Sequence, residues 1–118
     1  MKQPHELYTI EEWNTFKSHM SLSSGGLIIF KFSPRCPISR SVERKFDGWY
    51  EGLPEDSGVM CVKIDVVNSR PLSQQLVREF DVQHESPQVI WIWVDNQVAW
   101  HASHYSITSE ALDAQLYT

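Results

Sequence analysis

The sequence predicts an α/β domain with a mixed sheet of four or five strands and helices on both faces. Segments with helical periodicity alternate with short apolar segments along the chain. The first two apolar segments are joined through a helical one, so we expect those strands to be parallel with a right-handed crossover. The last two flank a short polar turn, which indicates an antiparallel hairpin. The N-terminal tail is the candidate for a fifth strand.

Length and composition restrict the function classes. The 118 residues, 1–118, are predicted to form a single domain, and the 42% hydrophobic content with a net charge of −5 excludes intrinsic disorder. The longest apolar run, Val89 to Val94, is far shorter than the ~20 residues that span a bilayer, so no membrane partner is expected. A pI near 5.4 argues against nucleic acid as a partner. The segment Met1 to Glu6 has no apolar signal core, so we expect a cytoplasmic protein.

The first half of the chain contains three predicted elements. A helix is expected from Ile10 to Met20, because Thr9 and Glu12 form a capping box ahead of apolar residues at helical spacing. The segment from Leu27 to Phe32 is nearly all apolar, which indicates a strand buried on both faces. A second helix is expected from Pro37 to Tyr50. Its expected inward face carries Ile38, Val42, Phe46 and Trp49.

The second half of the chain completes the pattern. Val59 to Asp65 is a second apolar strand, and a third helix begins at Arg70 and Pro71. The remaining elements are a strand from Gln88 to Val94, a turn from Asp95 to Gln97, a strand from Val98 to His104 and a helix from Thr108 to Leu116. This order predicts the mixed sheet described above.

Cys36 stands between a buried strand and a helix that begins with Pro37. Proline is favoured at the first helical position, because its missing N–H would have no helical partner there. The thiol is therefore expected at the N-cap, where free N–H groups and the helix dipole favour the thiolate. Arg35 and Arg40 add positive charge nearby. The sequence predicts Cys36 as a nucleophilic thiolate, although a cysteine at a turn can also be a simple space-filling residue.

Ser39 occupies the position of the second thiol in a C-x-x-C motif, so no disulfide can form across these residues. One-thiol exchange remains: attack on a mixed disulfide, capture of a small thiol, and release to another thiol. The Ser39 hydroxyl could hydrogen-bond the Cys36 thiolate, or it could be a solvated helix residue. Cys61, within a strand, is predicted to be buried, inert and too far from Cys36 for a disulfide.

Pro87 precedes an apolar strand, which places it at the strand entry with either a trans or a cis bond. An exposed backbone at Ser86 beside the thiol would let a peptide-like substrate pair as an extra strand, whereas the alternative is an ordinary loop proline.

Residues 34–45 carry four basic residues against one acidic residue. The basic residues are Arg35, Arg40, Arg44 and Lys45, and the acidic one is Glu43. This patch suits a carboxylate-bearing small thiol or an acidic client, although it could be a solvated helix face. The five histidines suggest no metal site.

Four stretches of the sequence resemble the thioredoxin-like monothiol bacilliredoxins. They are Arg35-Cys36-Pro37-Ile38-Ser39, Arg70-Pro71-Leu72-Ser73, His84-Glu85-Ser86-Pro87-Gln88, and Trp100 to His104 followed by Ile107-Thr108. The resemblance implies a thioredoxin-like fold, with Cys36 as the nucleophile and Pro87 as a cis-proline that faces it.

The resemblance also implies an activity and its partners. The activity is removal of bacillithiol from S-bacillithiolated proteins, after which another thiol system reduces the mixed disulfide on Cys36. Expected partners are S-thiolated client proteins, with bacillithiol or a similar low-molecular-weight thiol as co-substrate and no resident cofactor. The malate carboxylates of bacillithiol would fit the patch around Arg35 and Arg40. The substrate-binding candidates are Arg35, Pro37, Ser39, Arg40, Ser86 and Pro87.

Two other function classes remain open at this point. A C-x-x-S protein can carry an iron–sulfur cluster between two subunits with help from a small thiol, but Pro37 stiffens the loop where glycine would favour cluster access. A thioredoxin-like module could also bind clients through the Ser86 edge without turnover. A mixed disulfide on Cys36 after treatment with an oxidised thiol would separate the redox function from the binding module.

Overall fold

The sheet has five strands and is mixed. The structure, a computed structural model, describes residues 3–19, 25–93 and 97–116. The strands are β1 (His5–Glu6), β2 (Leu27–Phe32), β3 (Met60–Asp65), β4 (Gln88–Ile92) and β5 (Val98–Ser103). Their spatial order is β1-β3-β2-β4-β5. β3 is parallel to β1 and β2, whereas β4 is antiparallel to β2 and β5. The mixed sheet and the hairpin are confirmed, and the N-terminal segment supplies the fifth strand.

Four helices cover the two faces of this sheet. They are α1 (Ile10–His19), α2 (Pro37–Glu51), α3 (Arg70–Phe80) and α4 (Ser109–Leu116). Side chains of α1 and α3 pack in one core, and side chains of α2 and α4 pack in the other. Helices on both faces are therefore confirmed. In the described residues, no helix has the length and apolar character needed to cross a membrane. Met20, Val94 and the turn residues Asp95 and Asn96 lie outside the described residues.

Local signals in the sequence set where helices begin. The backbone N–H of Glu12 donates to Thr9 Oγ1 at 3.0 Å, and the N–H of Thr9 donates to Glu12 Oε1 at 3.0 Å. This is the reciprocal capping box that the sequence predicted, and α1 begins directly after Thr9. Pro37 is the first residue of α2, as expected for a residue without a backbone N–H.

β2 is the centre of the molecule because both of its faces are covered. Leu27 and Ile29 belong to the α1/α3 core, whereas Ile28 and Phe30 belong to the α2/α4 core. All four side chains are fully buried. This arrangement explains why β2 lacks the alternation of polar and apolar residues that a half-exposed strand shows.

The inward face of α2 differs from the prediction at its first residue. Ile38 is 40% exposed, whereas Ser39, Val42, Phe46 and Tyr50 are buried. These four positions follow steps of three and four residues, so they share one helix face. Trp49 is half-buried at the border of this face, with its ring edge-on to Trp91 at 6.0 Å. The inward face is therefore rotated by about one residue, and a small polar side chain occupies the position expected for Ile38.

The segments that contain Cys36, Val66 and Pro87 lie at one edge of the sheet. The register pairs Phe32 with Asp65 and Lys31 with Gln88. At this edge the chain leaves β2 toward Cys36, leaves β3 toward Val66, and enters β4 from Pro87. The three segments therefore meet at the same end of adjacent strands.

Candidate active site

Cys36 is the N-cap residue of α2. Its backbone is extended, with φ −97° and ψ 120°, and its side chain makes no capping hydrogen bond. The N–H of Cys36 donates to the Ser33 carbonyl at 3.3 Å, and its own carbonyl accepts from the N–H of Arg40 at 3.0 Å. The residue is half-buried and its thiol is free. A sulfur at this position is accessible and faces the positive end of a 15-residue helix.

Ser39 is not a solvated helix residue. Its side chain is fully buried, and its Oγ accepts a hydrogen bond from the backbone N–H of Ser33 at 2.9 Å. The contact ties the first turn of α2 to the residue that follows β2. Ser39 therefore stabilises the loop that carries Cys36, and its hydroxyl hydrogen remains available as a donor.

The basic patch is more positive than its composition indicates. Arg35, Arg40, Arg44 and Lys45 are exposed. Glu43, the acidic residue among them, is half-buried and accepts a hydrogen bond from Lys63 at 2.7 Å. The charge of Glu43 is therefore balanced by Lys63 of β3 rather than by the neighbouring arginines.

Arg35 also acts on Asp65 at the end of β3. Burial raises the pKa of Asp65, but hydrogen bonds from Asn68 and Val67 and the charge of Arg35 outweigh it and lower the pKa overall. The Asp65 carboxylate accepts the backbone N–H groups of Val67 and Asn68 at 2.9 and 3.0 Å. Asp65 therefore orders the turn that follows β3 and stays ionised.

The Ser86–Pro87 peptide bond is cis, the form that the resemblance implied. The Pro87 carbonyl accepts the backbone N–H of His104 at 3.0 Å, which ties the bond to the segment after β5. His104 Nε2 also lies 3.5 Å from Glu85. The Ser86 Oγ is buried without a hydrogen-bond partner in the described part of the chain. The sequence predicted that the last strand extends to His104, but β5 ends at Ser103 and His104 begins a short 3-10 helix.

Cys61 differs from Cys36 in its exposure and in its surroundings. It is fully buried in β3, within the α2/α4 core. Burial raises the pKa of its thiol well above the ordinary value. Neither cysteine forms a disulfide. The prediction that Cys61 is buried is confirmed. The raised pKa disfavours the thiolate form of Cys61.

Sequence reasoning missed the buried amine of Lys31. This side chain is fully buried on β2, and its Nζ donates to the Ser73 carbonyl at 3.4 Å. Burial lowers the pKa of Lys31 to about 8. The available signal was a single charged residue inside an otherwise apolar strand, which is unusual for a strand covered on both faces.

Solved structures with the same fold are similar over nearly the whole chain. One, described as having a thioredoxin fold, has a TM-score of 0.76 and 24% sequence identity, with 98% of this chain and 94% of that chain covered. Thioredoxin from Fasciola hepatica has a TM-score of 0.71 and 14% identity, with 96% of each chain covered. Thioredoxin from Malassezia sympodialis has a TM-score of 0.71 and 11% identity, covering 99% of this chain and 90% of that chain. The fold is therefore the thioredoxin fold.

A family comparison covers all five strands, the helices α1 to α3 and the Cys36 loop together. The model of the family described as monothiol bacilliredoxin BrxC matches residues 5–112. This range includes all five strands and the Ser86–Pro87 bond. The protein belongs to the monothiol bacilliredoxin family, and this membership together with its thioredoxin fold supports a thiol–disulfide redox role.

Proposed function

We propose that the protein is a monothiol disulfide oxidoreductase that removes bacillithiol, or a similar small thiol, from mixed disulfides on cytoplasmic proteins. Cys36 is the nucleophile. The observation that carries the proposal is the position of this thiol: half-buried at the N-cap of α2, with a serine at the resolving position. Two unpaired cysteines also fit a compartment in which thiols are kept reduced.

The reaction consists of two thiol–disulfide exchanges. In the first, the Cys36 thiolate attacks the bacillithiol sulfur of the mixed disulfide. A bond forms between the two sulfurs, and the client thiolate leaves and takes up a proton. In the second, a further small-thiol thiolate attacks the bacillithiol sulfur on Cys36. The Cys36 thiolate leaves and is thereby restored, and the two small thiols depart as a disulfide, so the attacking thiol has replaced the client sulfur in the disulfide.

Three groups of residues support this chemistry. Pro37 and Ser39 hold the first turn of α2, so the sulfur stays at the helix end. Arg35 and Arg40 offer exposed positive charge to carboxylates of the thiol or the client. Ser86 and Pro87 border the same edge of the sheet, where the Ser86 backbone can pair with an extended segment of the client.

Two cysteine variants test the assignment. Cys36→Ser should abolish reduction of a client–bacillithiol mixed disulfide, whereas Cys61→Ser should retain it within about two-fold, because the Cys61 thiol is fully buried. Release of client thiol measures the rate, and intact-mass spectrometry detects the bacillithiol adduct on Cys36. Circular dichroism of both variants controls for folding. Equal activity of the two variants, or an adduct on Cys61 alone, would contradict the role of Cys36.

A further inference from the structure

A cleft opens at the same edge of the sheet, beside the first turn of α3. Its volume is about 330 Å³, within the range of sites that hold small molecules. It is lined by Val66, Val67, Arg70, Ser73, Gln74 and His84. None of these six residues is acidic, whereas Arg70 is a cation and His84 can become one. We call this site the basic cleft.

The buried ammonium group of Lys31 lies behind the wall of the basic cleft. Its Nζ donates to the carbonyl of Ser73, a lining residue, at 3.4 Å. Among the ion pairs of the described residues, none involves Lys31. A buried charge without a counter-ion is unfavourable, so the site is electrostatically incomplete. An anion in the cleft would supply the missing negative charge.

The positive charges of Lys31 and Arg70 both act on His84. Ser73 Oγ lies 3.3 Å from His84 Nδ1, which orients the ring and leaves Nε2 as the nitrogen for a ligand. Partial burial and the charges of Lys31 and Arg70 lower the pKa of His84, while Glu85 acts in the opposite direction. Arg70 of α3 and Lys31 of β2 therefore act on the same imidazole from different elements.

Arg70 occupies a helix N-terminus, a position where an acidic side chain would stabilise the helix. It is the first residue of α3, whose first turn contains no acidic side chain. The positive end of the helix dipole repels a cation and attracts an anion at this position. The N-cap residue, Ser69, makes no side-chain capping bond, and its buried Oγ has no hydrogen-bond partner in the described structure. The helix end therefore has unused capacity to bind a negative group.

The basic cleft and the Cys36 loop are joined through the ends of β2 and β3. The N–H of Val66, a lining residue, donates to the Phe32 carbonyl at 2.9 Å, four residues before Cys36. We propose that the basic cleft binds a carboxylate of the small thiol while the sulfur of that thiol is bonded to Cys36. The inference rests on the proposed function and assigns a role to Arg70, Ser73 and His84, which the thiol chemistry itself does not use.

Substrate selectivity tests the role of the cleft. One client protein is prepared as mixed disulfides with bacillithiol, which carries carboxylates, and with 2-mercaptoethanol, which is neutral. Arg70→Ala should lower kcat/KM for the bacillithiol adduct about ten-fold relative to the neutral adduct, the loss expected for one charge-assisted contact. Arg78→Ala is the matched control, because Arg78 is exposed on the same helix and does not line the cleft. It should leave the ratio unchanged.

The outcomes distinguish a carboxylate of the small thiol from an acidic group of the client and from general electrostatic attraction. If Arg70→Ala lowers both adducts equally, the cleft binds an acidic group of the client and the inference is wrong. If Arg70→Ala and Arg78→Ala change the ratio by the same factor, general electrostatic attraction explains the effect and the inference is again wrong.

A binding measurement keeps the inference testable even without turnover. S-methyl bacillithiol cannot form a disulfide, so its binding does not depend on Cys36. Titration should produce a saturable shift of the His84 ring resonances in the NMR spectrum of the wild-type protein, and Arg70→Ala should weaken the binding about ten-fold. Binding without any reduction of mixed disulfides would overturn the proposed function but support the cleft. Absence of a saturable shift at His84 would overturn the cleft.

Discussion

Lys31 and Lys63 are buried on neighbouring central strands, yet their surroundings differ in charge. Lys31 is fully buried and Lys63 is 7% exposed. The register pairs Phe30 with Lys63 and Lys31 with Ile64, so the two amines project from opposite faces of the sheet. Lys63 lies beneath α2, where it contacts two carboxylates, and Lys31 lies beneath α3, where it contacts a backbone carbonyl.

The Lys63 site is complete within the chain. Its Nζ lies 2.7 Å from Glu43 and 2.6 Å from Asp47. Burial lowers the pKa of Lys63, but hydrogen bonds and charge interactions with Asp47 and Glu43 outweigh burial and raise it. The adjoining cleft, of about 530 Å³, is itself lined by Glu6, Asp47 and Glu51. Lys63 therefore has its counter-ions and a structural role, whereas the cationic site around Lys31 is open to a ligand. We therefore infer a binding site only at the buried lysine that its own chain does not neutralise.

Removal of the paired amine should produce the largest change in stability. Lys63→Met leaves Glu43 and Asp47 beside an apolar side chain, so we expect the free energy of unfolding to fall by about 3 kcal/mol, at the low end for a buried pair because both carboxylates are partly exposed. Urea unfolding at pH 7 measures the change. Lys45→Met, at an exposed lysine on α2, is the control and should change stability by less than about 0.5 kcal/mol. A stability equal to that of the control variant would show that the two ion pairs contribute nothing.

Removal of the unpaired amine should have the opposite sign. Lys31→Met replaces a buried charge by an apolar side chain of similar length. The shift of the Lys31 pKa from 10.5 to about 8 corresponds to about 3 kcal/mol at pH 7, so we expect a gain in stability of about 2 kcal/mol after losses from repacking. The preference for the bacillithiol adduct over the neutral adduct should fall in the same variant. A loss of stability on Lys31→Met would contradict the view that this charge is uncompensated.

The pH dependence of stability should also distinguish Lys31 from Lys63. The change per pH unit is expected to be smaller than the effect of either substitution. The pKa of Lys31 is about 8 in the folded chain against 10.5 as its ordinary value, so between these values the unfolded chain binds more protons. The free energy of unfolding therefore rises with pH across this window, by at most about 1.4 kcal/mol per pH unit. The raised pKa of Lys63 means that its stabilising contribution is present below 10.5 and is lost only at higher pH.

The measurement compares wild type with Lys31→Met from pH 7 to pH 10.5. The advantage of Lys31→Met over wild type should be largest below pH 8 and should decrease by about 3 kcal/mol toward pH 10.5, where the charge of Lys31 no longer contributes. Groups that titrate in both proteins cancel in this difference. A difference that stays constant across the window would show that burial does not shift the pKa of Lys31.

Local physical chemistry accounts for what the sequence predicted correctly. The capping box at Thr9 and Glu12, and Pro37 after Cys36, involve residues within one helical turn, so their consequences do not depend on the rest of the fold. The same is true of the N-cap position of Cys36. The catalytic role of Cys36 and the substrate roles of Arg35, Pro37, Ser39, Arg40, Ser86 and Pro87 remain predictions for the experiments above.

The errors arise where burial depends on distant segments. Ile38 was expected to face the core, but α2 is rotated so that Ser39 faces it and caps the Ser33 N–H. A polar side chain on an inward face is recognisable only when its backbone partner is known. Lys31 was likewise read as one residue of an apolar strand, because the absence of a carboxylate near its amine is a property of the assembled core.

The order of the elements, the helix ends and the position of the thiol follow from the sequence alone, because they are set by interactions among residues a few positions apart. Which buried amine is neutralised, and which is left facing a cleft, was decided by the packing of α2 and α3 on opposite faces of the sheet. Arg70 and His84 come together with Lys31 only because the chain crosses the sheet and returns to the same edge. Charge compensation acts through space, so it becomes visible only when the distances are known.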